Sequence, residues 1–441
     1  MSTIEKNLRK DLGRKGIESN AFKTNLERSH GLEKFYESES VEFEKIITLG
    51  NKKIKETIVK DLVYVKDPSD LIVHLCEERE LVLQDAVVRI GIDGGQSSMK
   101  VVMNIFDPEH PERQDQDGQK YTGVNKMIVL ALVRDIQETY SNLEIILAKA
   151  RIHDLKYKLA CDLKVLNILL GLSSHGGKHA CNFCNGTVDS MGELRSIGSL
   201  KSSYQAYVDN GSIKKNMSDY DNVINKCLLE EEDEVIILDL VPISELHHMM
   251  KIVTSLSNIL VKDNQVKELL KSLGVHWHGY NGGGLDGKNS DKVLKKLDQI
   301  EEFVIKFSAC YVPVVDALKC FREVVTACFG MKLDPEFKQK ILNFNSIVED
   351  LVIYLASEDF LAKTGESVNL SLGWKGHNIR FHLIDQLERT QHSLGIYSEQ
   401  TSESAHKNMK KTLNRYLPSE DNPTHASCLF KGVSTYSSMR V

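Results

Sequence analysis

The stretch Lys156-Tyr157-Lys158-Leu159-Ala160-Cys161-Asp162-Leu163-Lys164, followed by an apolar run to Leu172 and then by His179-Ala180-Cys181-Asn182-Phe183-Cys184, decides how this chain is read. It sets a lone acidic residue, Asp162, at the end of a strand-like segment. Shortly after comes a Cys-x-x-Cys, whose spacing lets two thiolates grip one metal ion. A structural tetrahedral site needs two more ligands. The best pair lies far along the chain: His377 and His382 in Gly376-His377-Asn378-Ile379-Arg380-Phe381-His382, a His-x4-His within the spacing range of zinc sites. His175 and His179, close to the cysteines, are a competing pair, and a Cys-x-x-Cys alone also suits a redox role. If Cys181, Cys184, His377 and His382 close one site, everything between Cys184 and His377 is an insertion folded back on its own root.

At 441 residues the chain is long enough for two or three domains with their own cores. Hydrophobic residues make up 41% and charged residues 27%, ordinary values for a globular protein. Nine cysteines without a regular framework, and no signal-peptide pattern, argue for a reducing compartment, so the thiols read as metal ligands or core residues. No run reaches the roughly eighteen apolar residues that a membrane span needs. The formal net charge of −6 does not advertise nucleic-acid binding. Nor does it exclude it, because local basic patches meet phosphates.

Along the chain, short patterns such as Ile4-Leu8-Leu12 and Phe22-Leu26, then a helix over Leu71–Leu83, suggest an N-terminal helical region over 1–84. The period then changes: Val88, Ile90 and Ile92 alternate with Arg89 and Gly91, as in a strand. That strand ends in the turn-rich Asp93-Gly94-Gly95-Gln96-Ser97-Ser98, and a second runs from Met99 to Phe106. A polar loop over 107–122 precedes a third strand over Lys126–Arg134, and Leu143–Ala148 reads as a helix end or another strand. Beyond Cys181, Val235–Val241 reads as a short strand, Glu245 opens a helix to about Val261, Val275–Gly287 is a glycine-rich loop, and helices fill 291–360. Ser398-Glu399-Gln400-Thr401-Ser402-Glu403-Ser404 supplies capping residues for a helix from about Ser404 to Leu417, with Lys407 and Lys410 on the face of Glu403. The expected organisation is 1–84 helical, 85–175 the first part of an α/β core, 176–376 a zinc-rooted, mainly helical insertion, and 377–441 the zinc histidines and the Glu403 helix completing the core.

Three acids stand out: Asp93 and Asp162 at strand ends, and Glu403 at the start of a late helix. Two-metal phosphoryl transfer needs such a set, because hard cations want carboxylate oxygens and a pair of ions activates the attacking oxygen and stabilises the leaving one. Each acid also has a plain reading: Asp93 and Asp162 as turn or cap residues, Glu403 as a favourable charge at a helix N-terminus. A four-ligand zinc site, having no open position, would be structural.

In order and spacing these motifs resemble the catalytic core of the V(D)J recombination-activating recombinase and of the related Transib transposases, over roughly residues 85–430. Cys181-Asn182-Phe183-Cys184 looks like that family's zinc Cys-x-x-Cys, and Glu245-Leu246-His247 like its Leu-His segment. Leu383–Arg389 and Ser398-Glu399…Glu403-Ser404 are similar to its approach to the catalytic Glu, with one extra residue, which makes Glu403 and not Glu399 the match. The resemblance implies an RNase H-like mixed sheet with a large, mainly helical zinc-rooted insertion. It also implies an Asp-Asp-Glu triad of Asp93, Asp162 and Glu403 holding Mg²⁺ or Mn²⁺, and structural Zn²⁺ on Cys181, Cys184, His377 and His382. The implied activity is nuclear: cutting and joining of DNA at transposon ends by a homodimer, with an accessory protein as a further partner. Lys407 and Lys410 are expected to meet DNA phosphates. Only 92 residues precede Asp93, too few for the family's end-recognition region, so the chain reads as a fragment or a domesticated remnant.

Two rivals remain. Ile90-Gly91-Ile92-Asp93-Gly94-Gly95-Gln96-Ser97-Ser98-Met99-Lys100 also resembles the first phosphate loop of sugar kinases of the actin-like group, where the Asp holds Mg²⁺ beside ATP. A non-cutting DNA- or protein-binding module that keeps the zinc scaffold is the other.

Overall fold

The computed structural model describes residues 31–49, 52–94, 98–173, 177–278, 283–413, 417–418 and 422–441; the side chains of Glu403, His406 and Lys407 lie outside that description. Strands β1 (Tyr36–Leu49) and β2 (Lys52–Val65) lead into helix α1 (Pro68–Glu78), then β3 (Val87–Asp93), β4 (Ser98–Phe106) and β5 (Ile128–Arg134). Helix α2 (Tyr140–Ala150), β6 (Tyr157–Cys161) and α3 (Leu163–Leu169) follow. After these come α4 (Ile197–Asp209), a single turn α5 (Ile237–Leu240), α6 (Glu245–Leu260), α7 (Asn264–Ser272), α8 (Gly287–Lys295) and α9 (Leu297–Phe307). The chain closes with α10 (Val312–Cys328), α11 (Phe337–Leu355), α12 (Glu358–Thr364), α13 (Gly373–Phe381), α14 (Leu383–Thr390), α15 (Gln400–Leu413) and α16 (His425–Ser438).

Two units emerge: one from Met1–Gly171, Asn225–Glu232 and Glu399–Val441, the other from Leu172–Ile224 and Asp233–Ser398. The first is built on a six-stranded mixed sheet of order β1-β2-β5-β4-β3-β6. All pairings are antiparallel except β3 with β6, which run parallel with Ile92 opposite Cys161. A parallel neighbour needs a crossover, which the segment carrying α2 supplies between β5 and β6. The central strands read as continuous apolar runs because both their faces are buried: Val101–Met103 and Ile128–Val133 are at most 1% exposed. β5 carries one extra residue at its bulge with β4, and the Val129 N–H there donates to Ser437 Oγ of α16. Tyr36 Oη donates to the carbonyl of that same Val129, which fixes β1 over the bulge.

The second unit is helical, with α10 and α11 as its longest elements. Its core is lined by Val314, Leu318 and Phe321 of α10 and by Phe344 and Leu351 of α11. Its two chain segments are joined by backbone hydrogen bonds: Ile197 N to Val235 O, Gly198 N to Asp233 O and Ile237 N to Arg195 O.

Several expectations are corrected. Residues 36–65 are not helical but form a long antiparallel hairpin. Its charges alternate with Val41, Phe43, Ile58 and Leu62 at period two, and Phe43 and Leu62 are buried. The patterns at Ile4–Leu12 and Phe22–Leu26 lie outside the described residues. Val235–Val241 is not a strand; its apolar residues bury as the turn α5, since a short apolar run fits either period. The late helix begins at Gln400, four residues earlier than Ser404, so Glu403 lies inside its first turn. The inserted unit runs from Leu172 to Ser398 rather than 176–376, takes both zinc-spaced histidines with it, and gives Asn225–Glu232 back to the first unit.

Candidate metal centre and acidic strand tips

Cys181 and Cys184 sit on a tight loop that returns on itself: Cys184 bridges Leu194, and Arg195 N donates to Phe183 O. Gly186 and Gly192 face one another across it with no room for a Cβ at either, which is why the loop carries glycine twice. The loop aims backbone donors at sulfur, Phe183 N to Cys181 Sγ and Gly186 N to Cys184 Sγ, both at 3.3 Å. Such bonds favour thiolates, the form that binds metal.

His377 lies on α13, and His382 is both its C-cap and the entry to α14. In an unbroken helix, residues five apart point about 140° from each other. The break at His382 turns its ring back, so the two Nε2 atoms lie 3.1 Å apart. Cys181 Sγ is 3.4 Å from His382 Nε2 and Cys184 Sγ 3.4 Å from His377 Nε2. The four ligand atoms fall within 4.8 Å of one another and all four residues are buried. A tetrahedral zinc with ordinary bond lengths would set sulfur and nitrogen roughly 3.5 Å apart and two nitrogens roughly 3.3 Å apart, so the cage is already close to size. This buried Cys2His2 cluster has the geometry to bind a metal such as zinc.

The surroundings support that use. His377 Nδ1 donates to Val188 O at 3.2 Å, which leaves Nε2 as the free lone pair. Phe183, Trp374 and Phe381 place aromatic rings against the imidazoles at 5.8, 5.2 and 4.8 Å and keep the site dry. Cys184 is held far below the usual thiol range, first by a hydrogen bond from Cys181 and then by His377 and His382. Burial pushes the Cys181 thiol up. Arg195, 3% exposed, places its guanidinium against the carbonyls of Cys181, Cys184, His179 and Asp221. Asn378 brings Oδ1 within 3.5 Å of Cys181 Sγ, and its Nδ2 donates to His248 Nε2. His248 in turn donates from Nδ1 to Ser244 O, and burial pushes it down to about 3, so this ring stays neutral. Of the competing pair, His179 spends Nδ1 on the carbonyl of Asn185 and His175 lies outside the described residues.

In the first unit, Asp93 ends β3 and Asp162 follows β6 one residue past Cys161. Because the two strands are parallel neighbours in the register Ile92↔Cys161, the two acids are next-door tips, about 5 Å apart in backbone. Asp93 shares a sheet face with Gly91, and a Cβ on Gly91 would strike Ser402 Oγ of α15. The first turn of α15, which bears Glu403, therefore crosses that face two residues from Asp93. Glu399, just ahead of this helix, is 4% exposed, and its charge together with that of Asp162 adds to the burial that raises the Cys161 thiol.

Both aspartates also have partners within the protein. Asp93 Oδ2 accepts from the buried Lys100 Nζ at 2.7 Å, and Asp162 Oδ1 caps α3 through Val165 N at 2.7 Å. A depression lined by Lys45, Ile46, Gly94, Gln137, Glu138 and Lys164 opens beside these tips. Lys410 is exposed on α15; the side chain of Lys407 lies outside the described residues. The sequence reading did not name Lys100, Glu399, Arg195 or Asn378 as parts of either site. Lys100 left a signal, a charge interrupting an otherwise apolar strand; Arg195 left none.

A family described as a domain of unknown function (DUF8703) matches residues 51–193, less than half of the chain. The match takes in Asp93, Asp162, Cys181 and Cys184 and stops short of His377, His382 and Glu403. No curated protein matches the chain.

Proposed function

We propose that the chain is the metal-stapled core of a DNA transposase or recombinase that cuts and joins strands by two-metal phosphoryl transfer. The observation carrying this reading is the meeting of Asp93 and Asp162 at adjacent parallel strand tips, with the Glu403 turn of α15 seated over Gly91 two residues away. A mixed sheet in which three antiparallel neighbours, β5, β4 and β3, are extended by a parallel β6 suits an RNase H-like core. The resemblance of the motif order to the V(D)J recombinase and Transib group points the same way.

Carboxylates are the donors that Mg²⁺ or Mn²⁺ prefer, so Asp93, Asp162 and Glu403 would hold the ions. When bound, the ions would activate the attacking oxygen and stabilise the leaving one. Asp162 can serve as cap and ligand together, since the cap uses Oδ1 alone. Lys100 sets the orientation of Asp93 from the next strand. Lys407 and Lys410, one and two turns along α15 from Glu403, would meet backbone phosphates. The zinc cluster belongs to the inserted unit and would fasten it rather than take part in the chemistry.

One observation favours a second reading, a DNA-binding module that no longer cuts: Asp93 and Asp162 are each paired with a protein group, as structural carboxylates are. The two readings part on one experiment. Mg²⁺-dependent nicking of supercoiled DNA by the full chain, lost in Glu403→Gln, supports cutting; binding without any metal-dependent nicking would leave the module. ATP turnover with a hexose, lost in Asp93→Asn, would instead point to the sugar-kinase class.

A further inference from the structure

We propose that the tip of the β1–β2 hairpin is a basic arm that grips the phosphate backbones of a DNA duplex brought to the acidic strand tips; the proposal rests on the DNA reading above. The chain as a whole is acidic, with net charge −6, yet residues 45–55 carry Lys45, Lys52, Lys53 and Lys55 and no carboxylate. The hairpin is longer than its pairing with the rest of the sheet. β2 pairs with β5 only over Leu62–Tyr64, while its pairing with β1 continues out to Leu49↔Lys52. Ten residues of strand beyond Leu62 reach about 30 Å.

The base of the arm is fixed by side chains from outside the hairpin. Asn142 clamps both backbone groups of Glu44, and Gln137 clamps both of Ile46, through side-chain amides at 2.8–3.0 Å. Past Ile46 the strands run out by roughly 10 Å more. There every described residue of β2 from Lys52 to Thr57 is exposed, Lys55 by 70% of its side chain despite its ion pair with Glu44. Lys45 and Ile46, at the foot of the tip, line the depression that also holds Gly94 and Lys164, next to Asp93 and Asp162. The arm therefore rises from the rim of the acidic site.

The register sets the lysines on both faces of the ribbon: Lys53 and Lys55 lie with Thr48 and Ile46, and Lys52 and Lys45 lie on the opposite face. A two-stranded ribbon fits the DNA major groove, which is about 12 Å wide and walled by phosphates on both sides. A ribbon with cations on both faces can reach both walls. Phosphate contacts of this kind carry affinity and position rather than sequence. They would compensate for a chain whose total charge repels DNA.

The test measures binding of the full chain to a 30-base-pair duplex of arbitrary sequence by fluorescence anisotropy between 50 and 200 mM KCl. For Lys52→Ala/Lys53→Ala/Lys55→Ala, affinity at 50 mM should fall at least tenfold, and the slope of log K against log salt should become shallower by about two to three. Lys52→Arg/Lys53→Arg/Lys55→Arg should keep the wild-type slope, which separates charge from folding. An unchanged slope in the alanine variant, or no duplex binding by the wild type, overturns the proposal. So does an unchanged slope accompanied by a changed oligomeric state, which would make the arm an interface between copies of the chain. Nicking is read in parallel. A slope that responds to the lysines without Mg²⁺-dependent nicking upholds the arm and refutes cutting; nicking by the alanine variant with a wild-type slope does the reverse.

Discussion

Removing the metal cluster should strongly destabilise the inserted unit. The thiolates come from one excursion of the chain, Leu172–Ile224, and the imidazoles from the end of another, Asp233–Ser398. Cys184 and His377 are 193 residues apart. Treated as a cross-link closing a loop of that length, the clip removes about 5 kcal/mol of unfolded-state freedom. Substituting one ligand forfeits this and leaves three buried ligands facing a hole, so Cys181→Ser or His382→Ala should cost at least about 5 kcal/mol. For a unit of roughly 220 residues that is a fall in Tm of about 10–20 °C. The assay combines metal analysis of the purified chain with thermal unfolding in the presence and absence of a chelator. Wild type should carry one zinc per chain and lose stability on chelation, and the variants should carry little metal and no longer respond to chelator. A chain that purifies without zinc, or unfolds at the same temperature with and without chelator, refutes the reasoning.

Asp162→Asn is the most discriminating substitution in the first unit: asparagine caps as well as aspartate, so stability should change by less than about 0.5 kcal/mol in urea unfolding, while Mg²⁺-dependent nicking disappears. Arg195→Met removes the donors to four backbone carbonyls around the cysteine loop and should lower zinc affinity about 10–100-fold in a competition titration. Gly91→Ala should cost about 1–3 kcal/mol, because the new methyl must displace Ser402 and α15 with it. His248 is fully buried and pushed down to about 3, whereas in the unfolded chain it takes a proton near pH 6.5. Below pH 6.5 the unfolded state gains a proton that the native state refuses, so stability falls with pH, by about 1.4 kcal/mol per unit from this group. Urea unfolding of His248→Gln at saturating zinc between pH 7.5 and 5 should show that much less pH dependence than wild type.

The sequence was most informative where a periodic pattern or a ligand spacing was local. β3, β4, β5 and β6 followed from alternation or from continuous apolar runs, and the Cys-x-x-Cys from two thiols within one turn. The histidine pair was legible from its spacing, but not how it converges: a five-residue separation works only because the helix breaks at His382. The hairpin is hard to see in the sequence because 11 of its 28 strand residues are charged and interleave with apolar ones, a mixture that also suits an exposed helical surface. Long-range partners such as Asn142 and Gln137 hold its edge. Arg195 and Asn378 could not be found from sequence, since their roles rest on carbonyls and a sulfur supplied by distant loops. Motif spacing favours Glu403 over Glu399, and the burial of Glu399 is a property of the folded chain that spacing does not carry.

The reading of the acidic tips turns on Gly91 more than on any carboxylate. A glycine in the middle of a buried strand weakens it, having no side chain to pack and more freedom to lose, and its use marks a close backbone approach. Here the approach is by the first turn of α15, and the room left by the missing side chain is filled by Ser402. A strand kept only for stability would do better with valine or isoleucine at this position and the helix a little farther off. What the glycine brings instead is the helix turn that follows Glu399 and carries Glu403 in its backbone, held against the sheet two residues from Asp93. Lys100 and the α3 cap account for each aspartate singly. They do not account for the packing given up at Gly91, which is expected if Asp93, Asp162 and Glu403 hold divalent ions together, as proposed above.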